Sequence, residues 1–217
     1  MKLLQACFLT ALLALSTPAS ATSQVPDKLI LDGEQLSLAT NPLASLIRTG
    51  RIKLPEPAEH WSSNWRGYVA TWSIRDDRLL LTKIDVLLKP EHSKEDVDAV
   101  PVNVLPQLFN GEPEVFADWF SGTLIVPRGE IVNYVHMGYG STYERYTVLH
   151  LAQGRLLSRQ DLSATQYEAL RRERFAACQK TTEYAKRLEE AREQLSPSGA
   201  EQFLYEFAVE EYMSVTP

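Results

Sequence analysis

The feature that most restricts the fold is a series of short alternating apolar runs closed by turn residues. Tyr68, Ala70, Trp72 and Ile74 alternate with Val69, Thr71 and Ser73, and a second run covers about 79–88, with Asp76-Asp77 between them. Residues 121–126 face 130–137 across Pro127-Arg128-Gly129. The loop Gly138-Tyr139-Gly140-Ser141 leads into 146–152, and Gln153-Gly154 turns the chain into 155–158. Alternation with a period of two places successive side chains on opposite faces of a strand, and short connections join antiparallel neighbours. Parallel βαβ units need a long crossover instead, so the pattern predicts an antiparallel meander.

Other segments read against this frame. Asp32-Gly33 between two apolar runs predicts a tight hairpin over 28–38, since a type I′ turn needs positive φ at both central positions. Asn41 is placed to cap a short helix with Pro42 at its first position and Gly50 after its last. Residues 51–65 read as a connecting loop, and 89–114 as an acidic, proline-bearing excursion with one helical turn near 105–109. After residue 160 the pattern turns helical. Ser163 and Gln166 have capping-box spacing, and Leu170, Ala177, Tyr184, Leu188, Ala191 and Leu195 form a narrow seam interrupted by Arg174 and Thr181. Pro197 ends that long helix, and Ser198 with Glu201 predicts the cap of a second one bearing Phe203, Leu204, Phe207 and Ala208. The expected fold is α+β: an antiparallel β-sheet meander or partly open barrel over about 22–160, followed by two C-terminal helices over 161–217.

The amino terminus reads as a cleavable secretory signal. Lys2 precedes a mostly apolar run over 3–15, and Pro18 precedes Ala19-Ser20-Ala21, a small-residue cleavage pattern. The run is shorter than the roughly 20 residues a membrane span requires. The expected working chain therefore begins at Thr22, is periplasmic or secreted, and carries no membrane span. Removing Lys2 takes the net charge from −6 to −7. Such a chain lacks the basic excess that neutralises phosphates, so nucleic acid is not an expected partner. Of the two cysteines only Cys178 remains after cleavage, so the core, not a disulfide, must hold the fold.

Three strings stand out: Asn64-Trp65-Arg66-Gly67-Tyr68-Val69-Ala70-Thr71-Trp72, Asp118-Trp119-Phe120-Ser121-Gly122 and Tyr134-Val135-His136-Met137-Gly138-Tyr139-Gly140-Ser141-Thr142-Tyr143-Glu144. With Ile30-Leu31-Asp32-Gly33 and Asn41-Pro42-Leu43 they resemble a family of small uncharacterised bacterial proteins over roughly residues 29–158. The resemblance implies one compact domain, and no catalytic residue comes with it.

Chemistry is sparse. His60, His92, His136 and His150 lack the spacings that present two metal ligands on one element, so neither metal nor cofactor is expected. Ser141 is not in a nucleophile elbow. Asp85, Asp118 and Glu144 have apolar or aromatic neighbours, where burial raises a carboxyl toward acid–base use, but no spacing brings them together. The aromatic residues are the richer signal. Trp61, Trp65, Tyr139 and Tyr143 fall in loops and, with Ser141, form the candidate binding set, because rigid aromatic rings recognise partners at low entropic cost. The expected function is an exported non-catalytic binding protein with a protein partner, for example a periplasmic immunity or inhibitor protein. The alternative is a cell-envelope hydrolase acting on glycan or peptide through Asp118, His136 and Glu144.

Overall fold

The computed structural model of the chain describes residues 24–56, 62–89, 98–135 and 139–214. The expected leader, Trp61 and His136 lie outside the described residues. β1 (Asp27–Leu31) and β2 (Glu34–Leu38) form the first hairpin, with Asp32 at φ 54° and Gly33 at φ 81°, as a type I′ turn demands. After α1 (Ala44–Arg48), β3 (Val69–Arg75) pairs in parallel with β1 and antiparallel with β4 (Arg78–Leu88). The excursion supplies β5 (Val100–Asn103), α2 (Leu105–Leu108) and β6 (Val115–Phe116). β7 (Gly122–Asn133), β8 (Thr142–Ala152) and β9 (Arg155–Ser163) complete one open, mostly antiparallel sheet of order β2-β1-β3-β4-β9-β8-β7. One edge of β4 is shared in succession by β9 at Arg78, β6 at Leu80 and Leu81, and β5 from Asp85 onward.

The sheet curls without closing into a barrel. Its edge strands β2 and β7 share no ladder. Just past β2, however, the Ala39 N–H donates to the Ile125 carbonyl at 2.8 Å, and the Ile125 N–H donates to Thr40 Oγ1 at 3.0 Å. Both ladder groups of Ile125 are thus satisfied by the segment that follows β2.

The sheet separates two apolar cores. Leu29, Trp72, Leu81, Leu124, Val126, Leu149 and Leu151 belong to one. Ile125, Tyr146 and Val148, which alternate with them on β7 and β8, belong to the other, with Tyr167, Phe175, Tyr184, Leu204 and Tyr212 from the helices. The tail, α3 (Ala164–Cys178), α4 (Thr182–Arg192), α5 (Pro197–Phe207) and α6 (Val209–Met213), therefore packs on the second face of the sheet. The end of α6 is fastened there. Thr123 Oγ1 donates to the Met213 carbonyl at 2.9 Å, and the Thr123 N–H donates to Ser214 Oγ at 3.1 Å.

Several expectations are corrected. Pro127-Arg128-Gly129 is no turn: β7 runs through it, and its partner is β8. Proline is tolerated because β7 is an edge strand, and Gly129, at φ 76°, lies at a register shift where a Cβ would collide with the Glu144 side chain. The single long helix is broken after Cys178, where Thr181 Oγ1 accepts from the Tyr184 N–H at 3.2 Å and starts α4. Ser196, not Ser198, caps α5, accepting from the Gly199 N–H, so Pro197 opens that helix instead of ending its predecessor. Among the described residues the tail has four helices where two were expected. Asn41 does not cap α1; its side chain is used elsewhere.

Two glycine turns differ in a measurable way. A Cβ on Gly33 meets nothing within 4 Å, whereas one on Gly154, at φ 73°, lies 2.5 Å from the Ala117 carbonyl oxygen. The Gly154 N–H donates to Phe120 O at 2.7 Å and its carbonyl accepts from the Leu79 N–H at 2.8 Å, so the turn is wedged against β4. Gly33→Ala should cost about 1 kcal/mol from φ alone, and Gly154→Ala about 2–4 kcal/mol, because the carbonyl collision adds to it. Urea midpoints measure the difference, and equal losses would mean that the second turn is not wedged.

Candidate functional site

The glycine loop and the tail enclose a cavity of about 110 Å³ against the second face of β7 and β8. Tyr139, Gly140, Ser141 and Tyr143 form one side, Ser37 and Ala39 from the β2 end another, and Tyr167, Arg171, Glu206 and Val209 the helical side. Tyr143 meets Tyr146 edge-on at 6.2 Å, and Tyr146 stacks on Tyr167 with ring centroids 3.7 Å apart. The Tyr143 N–H donates to the Tyr146 hydroxyl at 2.9 Å, so that phenol keeps its own proton to give. Burial pushes the Tyr146 phenol up, as it does Tyr143.

The cavity adjoins a larger open groove of about 870 Å³ between β2 and the strands β7, β8 and β9. Ser37, Pro127, Tyr143 and Tyr146 are walls of both. Two ion pairs span the groove side of the sheet: Arg128 Nη1 reaches Glu34 Oε2 at 2.6 Å, and Arg159 Nη1 reaches Asp32 Oδ2 at 2.5 Å. These tie the β1–β2 hairpin to β7 and β9 without a backbone ladder.

Behind Tyr139 lies a polar node. The Tyr139 hydroxyl donates to Asn41 Oδ1 at 3.0 Å, and Asn41 Nδ2 donates to Glu210 Oε1 at 2.6 Å, joining the glycine loop to α6. The next residue, Pro42, accepts from Trp119 Nε1 at 3.2 Å. Further in, the fully buried Asp27 accepts from the Ala70 N–H at 3.1 Å and from Trp72 Nε1 at 3.0 Å, and Arg66 Nη1 lies 3.3 Å from its carboxylate. The Arg66 guanidinium sits 5.1 Å from the Tyr68 ring centroid and 6.0 Å from that of Tyr139. Burial pushes the Asp27 carboxyl up against the pull of Arg66, and pushes the phenols of Tyr68 and Tyr139 well above their ordinary range. One residue from each of the three long strings thus meets this region: Tyr139 at Asn41, Trp119 at Pro42, and Arg66 behind Tyr139.

On the helical side, Arg171 is buried and committed. Its Nε donates to Tyr212 Oη at 2.9 Å, its Nη2 to the Tyr205 carbonyl at 3.0 Å, and its Nη1 to Glu168 Oε2 at 3.3 Å. The Tyr205 hydroxyl donates to the same glutamate at 2.6 Å, and burial together with that bond pushes its pKa up to about 12. Burial works to raise Glu168, yet the Tyr205 and Arg172 hydrogen bonds outweigh it and hold the carboxyl below its usual value.

Of the five expected binding residues, Tyr139, Ser141 and Tyr143 come together at the cavity. Trp65, 71% exposed, lies apart from it beside Leu54 and Gly67, and Trp61 is outside the described residues. Ser141 Oγ accepts from the Val135 N–H at 3.0 Å and donates to its carbonyl at 3.3 Å, so the hydroxyl closes the loop instead of standing ready as a nucleophile. The expected catalytic set is not assembled by its described members. Asp118 is in the turn beside the Gly154 end of β8, while Glu144 lies near the other end, seven residues before Leu151, which is about 23 Å at the usual strand rise. Asp85 pairs with Lys83 at 2.9 Å. His150 Nδ1 is 3.1 Å from Thr123 Oγ1, and burial lowers its pKa. Among the described residues no group of three or more His, Cys, Asp or Glu is arranged to hold a metal ion. Asp27, Arg66 and Arg171 were missed by the sequence reading. Only the i, i+4, i+8 spacing of Tyr167, Arg171 and Phe175 signals the last, and an arginine in the middle of a seam disguises it.

Comparison with family models, curated proteins and solved structures returns no match.

The neighbouring arginines of α3 separate burial from surface pairing. Arg171→Met removes three donors from the tail, leaves Tyr212 Oη without the bond it accepts and takes one of two donors from the Tyr205 carbonyl, and should cost about 3 kcal/mol. Arg172 pairs with Glu168 from a largely exposed position, and Arg172→Met should cost under about 0.5 kcal/mol. Chemical denaturation of both variants tests this; comparable losses would contradict the assignment.

Proposed function

We propose that the protein is an exported, non-catalytic binding protein that recognises another protein, as a periplasmic immunity or inhibitor protein does. The observation that carries this reading is the continuity of groove and cavity through Ser37, Pro127, Tyr143 and Tyr146. An extended segment of a partner lies along such a groove while one of its side chains enters the aromatic cavity, a combination of surface contact and anchored side chain that suits protein recognition. The groove is polar and the cavity wall is rich in tyrosine, the residue type that recognition surfaces favour. The leader-like segment Lys2 to Ala21 supports export, and the tightly engaged Ser141 and the separation of Asp118 from Glu144 favour binding over hydrolysis.

Two tests follow from this. Tyr143→Ala should weaken capture of the partner from cell-envelope extract at least tenfold while the fold survives, since its backbone bond to Tyr146 does not need the ring. Tyr139→Ala should instead cost about 3 kcal/mol of stability, because it removes a ring and leaves Asn41 Oδ1 without its donor. Thermal melts of both variants beside the capture assay distinguish them, and unimpaired capture by Tyr143→Ala sinks the groove reading. For export, mass spectrometry of the native protein should find a chain beginning at Thr22; retention of Met1 refutes that part.

A further inference from the structure

The cavity lining carries one arginine and one glutamate, and the two are engaged differently. Arg171 lies on the wall, but each of its three nitrogens is committed within the tail, and its charge faces Glu168 at 3.3 Å. Arg66, behind Tyr139, is matched by Asp27. Arg172, the other partner of Glu168, points into solvent. Glu206, also in the lining, is different: among the described residues its carboxylate accepts from a neutral donor, Gln202 Nε2 at 2.9 Å, and from no cation. The groove outside is lined by Arg128, Arg145 and Arg159 with Glu34 and Asp161; Arg128 pairs with Glu34, and Arg159 with Asp161 and with Asp32 beyond the lining, so the acidic group on offer is inside the cavity and not in the groove.

We infer that the cavity takes the basic side chain, arginine or lysine, of the partner segment that lies in the groove; the inference rests on the groove being the recognition surface. The volume of about 110 Å³ has room for several waters, and so for the head and part of the stem of one such side chain. The aliphatic stem packs against Ile125, Pro127 and Val209, and the head meets tyrosine rings, phenol oxygens and the Glu206 carboxylate. Aromatic faces and a carboxylate both attract a cation, and do so more strongly when water is excluded. An acidic side chain would face Glu206, and Arg171, the cation in the described lining of the cavity, is already committed. The acidity of the whole chain, −6 overall, steers a basic partner toward it.

The test uses the purified protein and acetyl-arginine amide, with the citrulline analogue as a neutral probe of the same shape. The arginine probe should shift the ring resonances of Tyr143 and Tyr167 saturably, and the citrulline probe should bind about tenfold more weakly. Glu206→Gln should remove most of that difference while leaving the melting temperature unchanged, because its carboxylate is held by an exposed hydrogen bond to Gln202 that the glutamine amide can replace. Equal binding of both probes, no saturable shift with either, or choline binding as tightly as the arginine probe overturns the inference. Partner capture that depends on Tyr143 but ignores Glu206→Gln also sinks it and leaves the groove reading standing; capture indifferent to both sinks the two together.

Discussion

β7 and β8 are covered on both faces, and the rest of the molecule is arranged to make that possible. Leu124, Val126, Leu149 and Leu151 enter the core shared with Trp72, while Ile125, Tyr146 and Val148, one residue out of phase, require a second cover. Left in water, that second face would expose large apolar and aromatic groups whose burial stabilises by about 1.5–3 kcal/mol each. The helical tail supplies the cover. Its geometry is set by a few polar ties, Thr123 to Met213 and Ser214, Asn41 to Glu210, and Arg171 to Tyr205 and Tyr212. A tail held by such directional bonds does not fit the sheet everywhere, and the cavity under Tyr139 and Tyr143 is where the two surfaces part.

Asn41 and Pro42 act as the junction of this arrangement. From two adjacent residues the chain contacts the glycine loop through Tyr139, the last helix through Glu210, and the first core through Trp119. Trp119 in turn lies 6.5 Å from Trp72, whose indole N–H is spent on Asp27. Tyr139 therefore has a structural task that its loop position does not suggest. Its ring and hydroxyl connect the glycine loop to the buried polar node, which leaves Tyr143 and the walls beyond it for the proposed recognition. Rigidity at the junction suits the proposed binding role, because an ordered wall loses less freedom on association.

Some of the site was legible in advance and some was not, for reasons that particular residues make plain. Tyr139, Ser141 and Tyr143 could be singled out because glycines at 138 and 140 mark a loop and tyrosine is a recognition residue. Arg171 and Arg172 are adjacent and chemically identical, yet one is buried and the other solvated. Only the rotation of α3 against β8 decides which, and the seam through Leu170 and Ala177 suggested a different phase from the Tyr167, Arg171 and Phe175 stripe that is buried. Gly129 misled in a similar way. A glycine after proline and arginine reads as a turn, but on an edge strand the same positive φ is accommodated by a bulge.

By itself the sequence determined the local elements: the Asp32-Gly33 turn, the strand alternation, the Ser163 capping box and the α+β order of sheet before helices. Each depends on interactions within a few residues, such as φ preferences, side-chain period and capping bonds. Only the tertiary structure decided that β1 pairs in parallel with β3, that the sheet stays open, that the tail lies on its second face, and that Glu206 shares a cavity with Tyr143. Those outcomes depend on which apolar faces meet and on polar partners up to 169 positions apart, as Asn41 and Glu210 are. No local pattern encodes a distance of that kind; it is set when two surfaces must bury their apolar area and satisfy their buried polar groups at once.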